Sequence, residues 1–205
     1  MELPRRAVTY LERGITYPKF DGWCTADKSA AMIQSILGAK PDVFVEIGVF
    51  AGKSFIGAAL ALDINQRGIA YGIDPWSAVA SAEGWPVGNA NHTWWSAVDH
   101  DAIFRQCQDF IALFGLEHRA KLLRMTSALA LKEFTTIDML HIDGNHNEQQ
   151  ALQDVVDYLP LVKPGGHVWF DDCDWETTRT AQIKLGECCS VAHSVGTCRL
   201  FQKRA

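Results

Sequence analysis

Short apolar runs recur along the chain, and between them apolar residues return every three or four positions. "DVFVEI" (42–47), "IAYGID" (69–74), "AKLLRM" (120–125), "IDMLHID" (137–143) and "HVWFDD" (167–172) read as strands. A helix follows the first from Lys53 to about Leu62. Another lies between the last two, where Leu152, Val155, Val156 and Leu159 repeat at helical spacing before "LVKPGG" stops it with a proline and two glycines. "TADKSAAMIQSILG" predicts an amphipathic helix ending at Gly38. Near the C-terminus, "CSVAHSVGTCRLFQK" gives two strands joined by a tight turn at Val195 to Thr197, too close for a helical crossover and therefore antiparallel. The pattern predicts an α/β domain: five parallel strands closed by an antiparallel hairpin.

One segment breaks the alternation. Residues 76–99, "WSAVASAEGWPVGNANHTWWSAVD", carry turn residues together with Trp85, His92, Trp94 and Trp95. A long insertion in a compact domain suits a lid or binding loop, although the tryptophans would also serve to cover a sheet edge.

At 205 residues the chain is expected to form one domain, with a helical N-terminal segment of about 1–38. Hydrophobic residues at 48% and charged residues at 21% are globular proportions. A formal charge of −5 argues against nucleic acid, since phosphate backbones are bound by clustered Lys and Arg. A small-molecule partner is expected instead. No apolar stretch has signal-peptide or membrane-span length, which predicts a cytoplasmic protein without membrane contact. The six cysteines form no C-x-x-C pair and read as packed or surface thiols, with a zinc site from Cys188, Cys189, His193 and Cys198 as the alternative.

The stretch "EIGVFAGKSF" (46–55) invites a phosphate-binding loop. Such a loop needs four residues between its first glycine and GKS, and here Gly48 and Gly52 enclose only Val49, Phe50 and Ala51. The dinucleotide fingerprint fails too, because Glu46 stands where it requires glycine. A carboxylate there opposes polyphosphate and suits a cation. Asp74 closes the next strand, where it can accept hydrogen bonds from both ribose hydroxyls. A cationic nucleoside without phosphate fits both features, and S-adenosyl-L-methionine is the common one.

With E-x-G-x-x-x-G after one strand and Asp74 after the next, residues 25–175 resemble the class I S-adenosylmethionine-dependent methyltransferases. The resemblance implies a Rossmann-like, seven-stranded, mostly parallel sheet with helices on both faces and a C-terminal antiparallel hairpin. It places Gly48 and Gly52 beside the amino-acid end of the cofactor, Glu46 in support of that loop, Asp74 on the ribose, and Thr126 and Ser127 near adenine. Thr126 and Ser127 would equally serve as helix caps.

"HIDGNH" and "FDDCDW" bring Asp143, Asp171 and Asp172 to the ends of neighbouring strands, about 4.8 Å apart. Unpaired carboxylates so close would raise one another's pKa, and a divalent cation would relieve them. All-oxygen donors favour a hard ion, Mg²⁺ first, with Ca²⁺ or Mn²⁺ as substitutes. These motifs resemble the metal-dependent O-methyltransferases, "IDGNH" with "GGHVWFDD" being similar to the antibiotic-tailoring type that modifies sugar hydroxyls, and more distantly to the catechol type. That resemblance implies metal ligation by Asp143, Asp171 and Asp172 and methylation of a hydroxyl on a small polar, aromatic or sugar-containing acceptor. The catalytic base is expected to be His146 or Asp143. His141 reads as a packed or supporting residue, and Asn145 and His167 receive no role. The alternatives are a metal-independent N- or C-methyltransferase and a non-catalytic cofactor-binding protein. A homodimer is a further expectation.

Overall fold

The computed structural model describes residues 2–17 and 20–205, so positions 1, 18 and 19 of the expected N-terminal segment lie outside the described residues. Seven strands form one sheet: β1 Val43–Ile47, β2 Ile69–Asp74, β3 Ala120–Arg124, β4 Ile137–Ile142, β5 Val162–Phe170, β6 Cys189–Val195 and β7 Cys198–Lys203. Their order is β3-β2-β1-β4-β5-β7-β6, parallel from β3 to β5, with β7 antiparallel to both β5 and β6. The order reverses between β1 and β4. Ligands of open α/β sheets bind at such a reversal, outside the carboxyl ends of the strands.

Alternate strand residues feed two cores. Phe44, Met139 and Trp169 point to one face, where helices α2 (Ala26–Ala39), α3 (Lys53–Ile64) and α6 (His100–Leu113) cover them. Val45, Leu140, Val168 and Phe170 point to the other, under α8 (Glu148–Tyr158) and α9 (Arg179–Cys188). Helix α3 is buried almost all round, which matches its nearly unbroken apolar sequence. A short helix α1 (Arg5–Thr9) runs into a π turn at Tyr10–Gly14, whose Tyr10 hydroxyl donates to the Lys53 carbonyl.

The structure differs from the sequence expectation in four places. Helix α2 runs through Gly38 and ends at Lys40, which takes the left-handed conformation expected of a glycine. "VKPGG" belongs to β5 rather than to a helix end: the pairing with β4 jumps from Ile137↔Val162 to Met139↔His167, so Pro164 sits in a bulge where its missing N–H costs no ladder bond. Segment 76–99 is half helical, with α4 at Ala78–Ser81 and α5 at Ala90–Ala97. In α8 the buried stripe is Ala151, Asp154, Val155 and Tyr158, leaving Val156 exposed.

All six cysteines are free thiols. No helix among the described residues is long and apolar enough to cross a membrane.

Gly48 follows β1 with φ +86°, and a Cβ there would penetrate the carbonyl of Asp143. Gly88 has a similar φ of +90° with no atom within 4 Å. Gly48→Ala should therefore lose more than about 3 kcal/mol in urea unfolding, and Gly88→Ala about 1 kcal/mol from backbone strain alone.

Candidate active site

The turn after β1 is built to be tight. Gly52 donates to the carbonyl of Val49 (2.9 Å) and starts α3 with φ +96°, where a Cβ would press on the Cys107 sulfur. Phe50 is held at φ +51°. Glu46, fully buried, accepts from the Ser54 hydroxyl through Oε1 at 2.6 Å and so ties β1 to the first turn of α3. Its Oε2 lies 3.2 Å from His141 Nδ1 on β4, but the two are not aligned for a hydrogen bond. Glu46 Oε2 and both ring nitrogens of His141 are thus buried without partners.

Asp74 staples the next turn. One carboxylate oxygen accepts from the Phe50 N–H at 2.9 Å, the other from the Trp76 N–H at 2.7 Å, and the Trp76 indole donates to the Phe50 carbonyl. Burial raises the Asp74 pKa, against the pull of those N–H groups. Each oxygen keeps a lone pair, so two hydroxyl donors fit, as on the diol of a ribose. Phe50, Trp76 and Asp172 hold unfavourable positive φ angles just beyond the ends of β1, β2 and β5, and such strain gathers at functional edges.

The acidic edge is divided. Asp143, His146 and Asp172 come together, their donor atoms all within 4.8 Å of one another. His146 Nε2 lies 2.9 Å from Asp172 Oδ2 and 3.9 Å from Asp143 Oδ1. Asp171 falls in a different group: its Oδ2 meets the ammonium of Lys28, which also lies 3.1 Å from Asp143 Oδ2, and donor atoms of Asp171, His141 and Cys198 lie within 4.8 Å of one another. The expected trio Asp143, Asp171 and Asp172 is therefore not assembled as one cradle. Successive residues leaving a strand point to opposite sides, and with Asp172 in the left-handed region Asp171 pairs with Lys28 and Asp172 with His146. Of the two sets that converge among the described residues, Asp143 with His146 and Asp172 offers two carboxylates and one imidazole, donors suited to Mn²⁺, Fe²⁺, Co²⁺ or Zn²⁺ more than to Mg²⁺, while Asp171 with His141 and Cys198 is buried.

His146 is poised toward its cationic form. Burial works against the charge, but the hydrogen bond to Asp172 and the field of Asp143 outweigh it and raise the imidazole pKa. The same bond lowers that of Asp172.

Thr126 caps the helix α7 (Ser127–Ala130), and its hydroxyl accepts from Leu129 N–H at 3.4 Å. The Ser127 hydroxyl instead donates to Asp154 at 2.6 Å, and Tyr158 donates to the Ser127 carbonyl at 2.7 Å. Asp154 carries no motif signal, since it reads as one polar position of an amphipathic helix. Burial pushes its carboxyl up to about 6, with Ser127 holding it down and Asp157 adding to the rise.

Segment 76–99 reaches over the edge and is fastened to the loop after β4. Asn145 donates to the carbonyls of Glu83 (2.8 Å) and Ser81 (3.3 Å), and its oxygen accepts from the Trp85 indole and the Asn147 N–H, both at 2.9 Å. Asn147 donates to the Gly84 carbonyl at 2.8 Å. Asn145, to which the sequence pattern gave no role, is thus the latch of this segment. Beyond it, Trp23, Phe50 and Trp94 line an open cavity of about 410 Å³ with Asp21 and Asp99.

A sequence-family model described as a methyltransferase domain matches residues 45–173. Among solved structures, the methyltransferase PaMTH1 of Podospora anserina, bound to S-adenosylhomocysteine, is similar at TM-score 0.68 and 15% identity, over 98% of this chain and 88% of that one. The O-methyltransferase TomG of Streptomyces achromogenes, involved in tomaymycin synthesis and solved with S-adenosylmethionine, gives 0.65 and 16% over 100% and 92%. An O-methyltransferase of Bacillus cereus in complex with S-adenosylhomocysteine gives 0.65 and 12% over 100% and 93%. At these identities the likeness is one of fold. No curated protein matches in sequence.

Two consequences are measurable. Asn145→Ala removes the hub of the latch, so amide exchange across 81–85 should accelerate by about tenfold or more, one to two kcal/mol of local opening free energy. For Asp154, the unfolded carboxyl titrates near 3.9 and the folded one near 6, so the folded state holds the extra proton between them. The stability this contributes is fully present below about pH 4 and is lost as pH rises through about 6. Asp154→Asn should therefore gain on the wild type, by the order of 2–3 kcal/mol, between pH 4 and pH 8 in urea melts.

Proposed function

Since the chain belongs to the methyltransferase-domain family, we propose that it is an S-adenosyl-L-methionine-dependent O-methyltransferase acting on a hydroxyl of a small polar, aromatic or sugar-containing molecule. The observation that carries this reading is Asp74: a carboxylate at the end of β2, stapled to the loop of E-x-G-x-x-x-G and with a lone pair free on each oxygen. It stands one strand from the order reversal of the sheet, where it would meet a ribose diol. The likeness to TomG and the Bacillus cereus enzyme, both O-methyltransferases, supports the choice of oxygen as the methylated atom.

The methyl on a sulfonium is already activated, so the protein's task is to align the acceptor oxygen with it and to take the proton. The oxygen forms its bond to the methyl carbon as the carbon–sulfur bond breaks, and the acceptor proton passes to a carboxylate. Asp143 suits that step better than His146. The imidazole is held toward its protonated form by Asp172 and orients rather than abstracts. If the enzyme uses a divalent cation, Asp143, His146 and Asp172 would hold it, and it would supply a lowered pKa for the acceptor hydroxyl. Trp23, Phe50 and Trp94 offer faces on which an aromatic ring or a sugar could stack.

Calorimetric titration of S-adenosylmethionine and S-adenosylhomocysteine tests the reading. The wild type should bind both at micromolar concentration, and Asp74→Ala should weaken them by about tenfold or more, the loss of hydrogen bonds to a charged group. Absence of binding to the wild type would overturn the proposal.

A further inference from the structure

Lys28 stands where elementary electrostatics opposes an ammonium. It is the third residue of α2, next to the N-cap Thr25, whose hydroxyl accepts from the Lys28 N–H at 3.2 Å. The positive end of a helix dipole disfavours a cation there. The residue is also buried, with 8% of its surface exposed, and an ammonium removed from water must be paired. What holds it is the acidic edge. Its Nζ lies 3.1 Å from Asp143 Oδ2 and contacts Asp171 Oδ2. Asp171 is itself buried, and among the described residues its other oxygen accepts only the N–H of Asp172, at 3.0 Å. Beside Asp171 stand the unpartnered imidazole of His141 and the buried thiol of Cys198, with the unpartnered Glu46 Oε2 on the far side of that imidazole. Among the described residues no other cation pairs with Asp171.

We propose that the Lys28 ammonium is a built-in cation, filling the place between Asp143 and Asp171 that a three-carboxylate metal cluster would give to a divalent ion. It neutralises Asp171 and withdraws it from metal ligation. It also pins Oδ2 of Asp143, leaving Oδ1 turned toward His146. Lys28 is thus a positioning residue for Asp143. This last role rests on the methyltransferase reading, whereas the cation role does not.

The test is manganese binding, followed by the electron paramagnetic resonance of free Mn²⁺, with thermal melts in Mn²⁺ or chelator. Wild type, Lys28→Met, Lys28→Arg, Asp171→Asn and the Lys28→Met/Asp171→Asn double variant are compared. Lys28→Met leaves Asp171 buried without a partner and should melt roughly 5 °C or more below wild type in chelator. It should bind Mn²⁺ about tenfold tighter than wild type and recover its melting temperature when the ion is added, because binding free energy becomes folding free energy. Arginine should restore the wild-type behaviour. The double variant should lose the gained affinity, and it removes both charges, so it folds even where Lys28→Met does not. Asp171→Asn alone should leave wild-type Mn²⁺ affinity within about twofold, as expected of a residue that is no ligand.

Loss of wild-type Mn²⁺ binding on Asp171→Asn would overturn the proposal, as would a Lys28→Met variant or its refolded form that gains no affinity. A wild type that binds no Mn²⁺ while Lys28→Met does would support it and count against a metal at Asp143, His146 and Asp172. S-adenosylmethionine titration of the same variants is read separately, so failure of the methyltransferase reading shows there.

Discussion

Three backbone hydrogen bonds carry the ladder of the sheet one residue past its strands. Gly48 N–H donates to Ile73, Asp143 N–H to Ile47, and Asp171 N–H to Ile142, at 2.9, 2.9 and 3.1 Å. Each bond steps from the end of one strand to the first residue beyond its neighbour, across β2, β1, β4 and β5. They fix Gly48, Asp143 and Asp171 in a line along the carboxyl edge, with Asp74 at its near end. The approach of Gly48 to the Asp143 carbonyl leaves no space for a side chain. The glycine of E-x-G-x-x-x-G is therefore required by the protein's own backbone before any ligand is considered.

The same line gathers five carboxylates, and each meets different chemistry. Glu46 takes a hydroxyl, Asp74 takes two backbone N–H groups, Asp171 takes an ammonium and Asp172 an imidazole. Asp143 alone is shared between the two cationic partners, Lys28 on one oxygen and His146 near the other. It is also more exposed than Asp171, with 24% of its side chain reachable against 9%. Asp143 is thus the carboxylate that joins the Lys28 side of the edge to the His146 side.

Much of this was readable along the chain because strand periodicity and strand-end residues are local signals. The five parallel strands, the closing hairpin and the positions of Glu46, Gly48, Asp74, Asp143 and Asp172 at the edge all follow from runs a few residues long. The exceptions share a cause. Pro164 sits in a strand because a bulge excuses its missing N–H, and the bulge is a property of the pairing with β4. Asp154 and Asn145 look like surface polar residues until Ser127 and the 81–85 segment pack on them. The different partners of Asp171 and Asp172, Lys28 and His146, come from elements remote in the chain.

Lys28 was the least legible, since a lysine in the first turn of an amphipathic helix looks like an ordinary solvated charge. Its partners lie 115 and 143 positions away, at the ends of strands that only the sheet order brings beneath α2. A tethered ammonium differs from a bound metal in a physical respect. It is present as soon as the chain folds, it costs no ligand binding, and its charge is one rather than two, so it balances Asp171 and leaves Asp143 short of full neutralisation. The oxygen of Asp143 that Lys28 does not hold is left turned toward His146, 3.9 Å away.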